Sequence, residues 1–215
     1  MVVGSSGSFC QWRFDGSPAA QIYAVTLVKV NEVPGYRFEL RPGDCQPYNR
    51  VKDCDTGRER VELRSLIEAS EGTTYQYTFS VVFPEALPSG IGVIVGQFHD
   101  GYVPVLSNRL EGGAWKLIIQ TYRNVRDHIV EMQPKGHPIH TFHLHYRIHW
   151  SRSHLGKIQA WVNQQLIADY DGPNLSVQGS GRAHLKIGIY RSKVQTDSVP
   201  QNLVLWISEP EIKQE

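Results

Sequence analysis

No apolar run in this 215-residue chain approaches the roughly 18 residues that a membrane-spanning helix needs. Charge of one sign is missing too. Twenty-two lysines and arginines meet 21 aspartates and glutamates, for a net charge of +1. General nucleic-acid or membrane-surface binders are usually more basic, so neither partner is expected, and an anionic ligand would have to meet local basic clusters. Cysteine is sparse, at three residues, and no C-x-x-C pair points to zinc. Cys45 and Cys54 lie nine apart in a polar, turn-rich segment. That spacing permits a local disulfide in an oxidising compartment, leaving Cys10 odd; three reduced thiols is the alternative. The N-terminal stretch MVVGSSGSF lacks the basic start and long apolar run of a secretory signal. Residues 1–8 are read as disordered or as a cloning remnant. Sustained helical periodicity is absent as well, Leu63 to Ser70 being the best short helix candidate. There is no internal repeat and no linker, so residues 1–215 read as one domain.

What the chain does have is alternation. Apolar and polar positions with period two mark half-buried strands. They run over Ile22 to Asn31, Tyr36 to Arg41, Arg60 to Arg64, Tyr75 to Phe83 and Ile91 to His99. They resume at Trp115 to Tyr122, His140 to Trp150, Lys157 to Asn163, Gln165 to Tyr170, His184 to Tyr190 and Leu203 to Ile207. Turn signals separate them at Pro42-Gly43, Pro88-Ser-Gly90, Gly112-Gly113, Asp171-Gly172-Pro173 and Gly179-Ser-Gly181. So many strands without helical crossovers predict an all-β fold. The economical form is a β-sandwich jelly roll of two antiparallel sheets, one offering a concave groove suited to a polymer.

Three strands carry unusual polar residues on one face. In Arg58-Glu-Arg60-Val-Glu62-Leu-Arg64, the residues Arg60, Glu62 and Arg64 point one way and Val61 and Leu63 into a core. Two guanidiniums around a carboxylate can grip a substrate carboxylate, or form a solvated ion-pair ladder. In Gln97-Phe98-His99, an amide donor and a titratable imidazole share a face. In Lys186-Ile-Gly188-Ile-Tyr190-Arg191, the residues Lys186, Gly188 and Tyr190 share one, with Gly188 leaving room above the sheet.

Together these segments resemble the jelly-roll polysaccharide lyases, which include glucuronan lyases, heparin lyase I-like enzymes and many alginate lyases. That family is marked by an Arg-x-Glu-Leu-Arg strand, a Gln-x-His strand and a Lys-x-Gly-x-Tyr strand, in that order. The resemblance runs from about residue 35 to the C-terminus. Arg37-Phe-Glu-Leu-Arg41 fits the first motif too. The second copy is preferred because it directly precedes the Tyr75 to Phe83 strand. Phe98 departs from the commoner middle residue of the Gln-x-His motif, and Arg191 follows the tyrosine where some alginate lyases carry other polar residues.

The resemblance implies cleavage of a 4-linked uronate polymer by β-elimination, endo-acting, with glucuronan or alginate the leading substrates. Donors must neutralise the substrate carboxylate so that the C5 proton can leave. The family pattern gives that role to Arg60 and Gln97, with His99 assisting. Tyr190 becomes the acid that protonates O4, and His99 or Tyr190 the base. As a base, Tyr190 would need its pKa depressed by Lys186, Arg191 or Arg60. Arg58, Arg64, Lys186 and Arg191 are the expected substrate-binding residues. The chemistry requires no cofactor or catalytic metal. A structural calcium is compatible with the family, although no Asp-rich loop argues for one. The natural setting of such polymers is extracellular or periplasmic. Oligomeric state is not readable.

Other constellations read as structural. His143, His145 and His149 share a strand face that reads as solvated and polar, opposite the core residues Phe142, Leu144, Tyr146, Ile148 and Trp150. Trp161 and Tyr170 read as packing a hairpin rather than stacking on sugar. Glu209-Pro-Glu211 reads as a frayed edge. The rival functions are a non-catalytic carbohydrate-binding module on the same sandwich, and a glycoside hydrolase. The first has no need of Gln97, His99 and Tyr190 together. The second needs paired carboxylates on an internal strand, which no segment offers.

Overall fold

The computed structural model describes residues 11–16, 22–30, 32–45, 53–83, 92–111, 114–120, 128–133, 141–191 and 202–215. They form β1 (Trp12–Gly16), β2 (Val25–Val30), β3 (Val33–Leu40), β4 (Glu59–Ser70), β5 (Thr74–Val82), β6 (Val93–His99), β7 (Pro104–Glu111) and β8 (Ala114–Ile119). These are followed by β9 (His128–Gln133), β10 (Thr141–His149), β11 (Lys157–Val162), β12 (Gln165–Asp171), β13 (Arg182–Arg191), β14 (Leu203–Ser208) and β15 (Glu211–Gln214). A seven-stranded antiparallel sheet runs β1-β4-β13-β6-β7-β8-β9. An eight-stranded antiparallel sheet runs β12-β11-β10-β5-β14-β3-β2, with β15 pairing β5. The result is the expected jelly-roll sandwich. No helix among the described residues is long and apolar enough to cross a membrane.

The alternating apolar positions meet between the sheets. Val61, Leu63, Phe98, Ile187 and Ile189 come from one sheet, and Phe38, Tyr77, Phe79, Tyr146 and Ile148 from the other. Phe98 sits at the centre, edge-on to Tyr77 at 4.7 Å and to Tyr146 at 5.5 Å. The polar tips of the central aromatic residues are satisfied. The Tyr146 hydroxyl donates to Asn108 Oδ1 at 2.6 Å and Trp150 Nε1 donates to the Tyr77 hydroxyl at 3.2 Å.

Several expectations are corrected. Leu63 to Ser70 is no helix but the second half of β4. Its backbone is paired to β13 through Glu68, Ala69 and Ser70 and to β1 through Leu63, Arg64 and Ser65, and that pairing overrides the helix preference of Leu, Glu and Ala. The edge or polar strands β1, β7, β9 and β15 escaped the pattern reading; β7 buries Ser107 and Asn108, which breaks its alternation. Glu209 is not frayed. It accepts a hydrogen bond from Trp12 Nε1 at 2.9 Å and from the Tyr36 hydroxyl, tying β14 to β1 and β3. The Pro88-Ser-Gly90 and Gly112-Gly113 turns and Cys10 lie outside the described residues.

On the outer face of the eight-stranded sheet the histidines of β10 form a ladder with β5. The pairs are Ser80 Oγ with His143 Nδ1 at 2.7 Å, Thr78 Oγ1 with His145 Nδ1 at 2.9 Å, and Thr74 Oγ1 with His149 Nδ1 at 3.0 Å. Among the described residues no cluster of metal-ligating side chains forms. Trp161 packs on His145 with ring centres 4.9 Å apart, and the Tyr170 hydroxyl donates to the Pro173 carbonyl at 3.0 Å, so both serve the hairpin.

Candidate active site

The three polar motifs come from strands far apart in sequence that lie side by side, β4-β13-β6. Strand parity aims their polar residues at the outer face of the seven-stranded sheet while Val61, Leu63, Phe98 and Ile187 enter the core. Register then builds rows. Arg64, Lys186, Gln97 and Ser107 stand abreast, as do Arg60, Tyr190, Ile94 and Arg109. Between the rows Glu62 stands opposite Gly188, and His99 lies beyond the first row beside His184.

A buried charge network underlies these rows. Arg60 donates from Nε to Asp53 Oδ2 at 2.5 Å and from Nη2 to Asp53 Oδ1 at 3.0 Å, and its Nη1 lies 3.4 Å from Glu62. Its guanidinium also sits 4.5 Å over the Tyr190 ring. Gln97 Nε2 donates to Glu62 Oε1. Lys186 pairs with Asp15 and lies 3.9 Å from Glu62. Burial pushes the Glu62 carboxyl up, against the opposing pull of Lys186 and Arg60. The disulfide between Cys45 and Cys54 is formed, and it anchors Asp53, the residue before Cys54, against Arg60.

The two candidate proton carriers are pushed in opposite directions. Burial, reinforced by Lys186, brings the His99 imidazole down to about 4, so it is neutral at pH 7. The Gly101 amide donates to His99 Nδ1 at 2.9 Å, which places the resting proton of the neutral ring on Nε2. Burial pushes the Tyr190 phenol up, and Arg60 and Arg58 offset only part of that. The depression that Tyr190 would need in order to act as base is not supplied in the free protein, because desolvation outweighs both guanidiniums.

Two further placements differ from the sequence reading. Arg191 is 1% exposed and donates from Nε to Glu59 Oε2 at 2.6 Å. It points away from Tyr190, as its neighbour in a strand must, and is not on the substrate face. Gly188 does not open space above the sheet. Its φ is +134°, and a Cβ there would lie 2.3 Å from the Val61 carbonyl oxygen, so glycine is demanded by the backbone. Arg58 and Arg64 remain on the face; Arg64 Nη2 donates to Glu68 at 2.8 Å.

Sequence reading missed Asp15, Asp53 and Asp100, each outside the three motifs. Asp100 is fully buried and takes the amides of Tyr102 at 3.0 Å and Ser176 at 2.8 Å, fixing the turn that bonds His99. Its only sequence signal is its place directly after the Gln-x-His motif.

A family model described as polysaccharide lyase matches residues 5–209. No curated protein matches the chain. Among solved structures, the alginate lyase from Corynebacterium sp. is similar at 17% identity and TM-score 0.67, covering 96% of this chain and 95% of that one. The endo-β-1,4-glucuronan lyase from Trichoderma reesei is similar at 12% identity and TM-score 0.59, covering 93% and 94%. A family 131 β-glucanase catalytic domain from Podospora anserina is similar at 12% identity and TM-score 0.60, covering 94% and 84%. The sandwich alone thus accommodates different chemistries, and the side chains must decide among them.

Proposed function

The chain belongs to the polysaccharide lyase family, and from that premise we propose that it cleaves a 4-linked uronan, glucuronan or alginate, within the chain by β-elimination. The observation that carries the reading is the opposed pair, a neutral His99 and a protonated Tyr190, on the face that also presents Gln97 and Arg60. Where the C5 proton and O4 lie on opposite faces, as in guluronate, His99 takes the C5 proton, the C4–O4 bond breaks as the C4–C5 double bond forms, and Tyr190 gives its proton to O4. Where they share a face, as in glucuronate or mannuronate, Tyr190 takes the C5 proton and delivers one to O4. Gln97 and the clamped Arg60 neutralise the substrate carboxylate. Using Tyr190 as base at pH 7 first requires ionising a phenol that burial has pushed up, whereas His99 is already neutral. Freeing His99 Nε2 costs the Gly101 hydrogen bond, about 1 kcal/mol. Where the C5 proton lies on the face opposite O4, His99 is therefore the readier base. Cleavage within the chain is supported by the position of β13 and β6 near the middle of seven strands, with sheet on both sides to carry flanking sugars. The Cys45–Cys54 disulfide supports an extracellular or periplasmic setting. No step of this elimination calls for a metal.

The test is ultraviolet absorbance of the new C4–C5 double bond during incubation with glucuronan, polymannuronate, polyguluronate, heparin, hyaluronan and ulvan. The expected result is a rise on glucuronan or on one alginate block, with viscosity falling early. Tyr190→Phe and His99→Ala should each lower the rate by about 100-fold or more. A flat trace with binding retained would replace the enzyme by a carbohydrate-binding module.

A further inference from the structure

Glu62 stands at the centre of the three motifs, yet the elimination gives its carboxylate no task. It is 1% exposed, although strand parity aims it at the substrate face. From β6, Gln97 Nε2 donates to its Oε1. To its Oε2 come Arg60 Nη1 of β4 at 3.4 Å and Lys186 Nζ of β13 at 3.9 Å. Asp15 of β1 is its register partner and shares both cations, pairing Lys186 and lying 3.8 Å from Arg60. Asp53, fully buried ahead of β4, takes Nε and Nη2 of the same Arg60. Of the outer charges, Arg64 is held by Glu68 at 2.8 Å and Arg58 acts on Tyr190. At pH 7 His99 is neutral and Tyr190 protonated, so neither adds charge. Three carboxylates therefore share two cations where a substrate carboxylate must land. With Glu62 ionised the cluster is one negative charge in excess, and a fourth carboxylate makes the excess two. A buried carboxylate short of countercharge takes a proton instead. Burial already pushes Glu62 up, so it is the member poised to do so.

We propose that Glu62 gains a proton as a uronate carboxylate binds, so that the substrate takes over the two cations Glu62 held. The neutral acid donates its O–H to Gln97 Oε1, the amide turns over, and Gln97 Nε2 is released to donate to the substrate carboxylate. One proton enters from solvent, and no covalent bond of the sugar changes in this step. Glu62 is thus a positioning residue that acts through Gln97, Arg60 and Lys186. The assignment rests on the lyase reading for its choice of ligand.

Binding of oligoglucuronate, oligomannuronate and oligoguluronate is measured by calorimetry in buffers of different ionisation enthalpy, with Tyr190→Phe present to prevent cleavage. With Glu62 intact, complex formation should take up a proton, approaching one toward pH 9; with Glu62→Gln it should take up none. In the active protein KM should rise between pH 6 and 9, by up to about tenfold per unit, while kcat keeps its own profile. Glu62→Gln, a permanently neutral donor, should flatten that KM curve. If Glu62→Gln does not fold, two other readouts decide. Asp15→Asn, with less negative charge around Glu62, should move the KM rise to lower pH, and infrared difference spectra of the complex should show a new carboxylic-acid C=O band. Cleavage without proton uptake, or uptake that persists in Glu62→Gln, would overturn the role of Glu62 and leave the lyase standing. Proton-linked binding without a new C4–C5 double bond would sink the lyase reading and leave Glu62 its role. No binding of any of the three would sink both.

Discussion

Arg60 and Arg191 show how little residue type alone decides. Both are arginines beside a motif tyrosine, yet one lies across its ring and the other is sealed against Glu59. The same holds for histidine. His143 and His145 lie on the outer face with hydroxyl partners, whereas half-buried His99 and buried His184 stay neutral at pH 7, brought down to about 4 and about 2. The unfolded chain protonates both at about 6.5 and the fold does not, so below that pH the unfolded state binds more protons. Their contribution to stability is thus complete above about 6.5 and is lost as pH falls from there, through about 4 for His99 and about 2 for His184. Thermal unfolding should show Tm dropping between pH 7 and pH 4.5, with a smaller drop in the His99→Gln, His184→Asn double variant. Catalysis carries a different signature. Where the C5 proton and O4 lie on opposite faces, as in guluronate, a neutral His99 and protonated Tyr190 predict a rate flat from about pH 6 to 8. Where they share a face, as in mannuronate or glucuronate, and Tyr190 must serve as base as well, the rate should climb about tenfold per pH unit toward alkaline pH.

At the scale of elements, β4, β13 and β6 make the site because two central strands bring distant segments into one register. Parity was readable in the sequence, and with it the shared faces of Arg60, Glu62 and Arg64, of Gln97 and His99, and of Lys186 and Tyr190. The bulges were not: β13 slips register between His184 and Lys186, and again against β6 after Ile187. Gly188 lies in the second irregular stretch, where its positive φ meets the Val61 carbonyl. Gly188→Ala is expected to destabilise the protein by about 2 kcal/mol or more and to lower kcat as Tyr190 shifts. Urea unfolding beside an activity assay checks both; unchanged stability would show that the strand can relax.

For the whole molecule, the Cys45–Cys54 bridge joins two segments that flank Arg60. Closing a loop with nine residues of separation stabilises by about 2–3 kcal/mol in the chain-entropy account. It also holds Asp53 on Arg60, so reduction should lower kcat more than the loss of folded protein explains. Activity and circular dichroism followed together in dithiothreitol would separate the two, and equal decline of both would assign the bridge to stability alone. By itself the sequence determined the all-β class, most strand positions, the Cys45–Cys54 spacing and the order of the three motifs, because period two and turn residues are local properties. Only the tertiary structure decided that Leu63 to Ser70 is strand, that Glu209 is an anchor, that Arg191 is buried and that Arg60 is clamped by Asp53 near Asp15. Each of those depends on a partner brought alongside by folding, and desolvation, which sets the states of His99 and Tyr190, exists only once the sheets have packed.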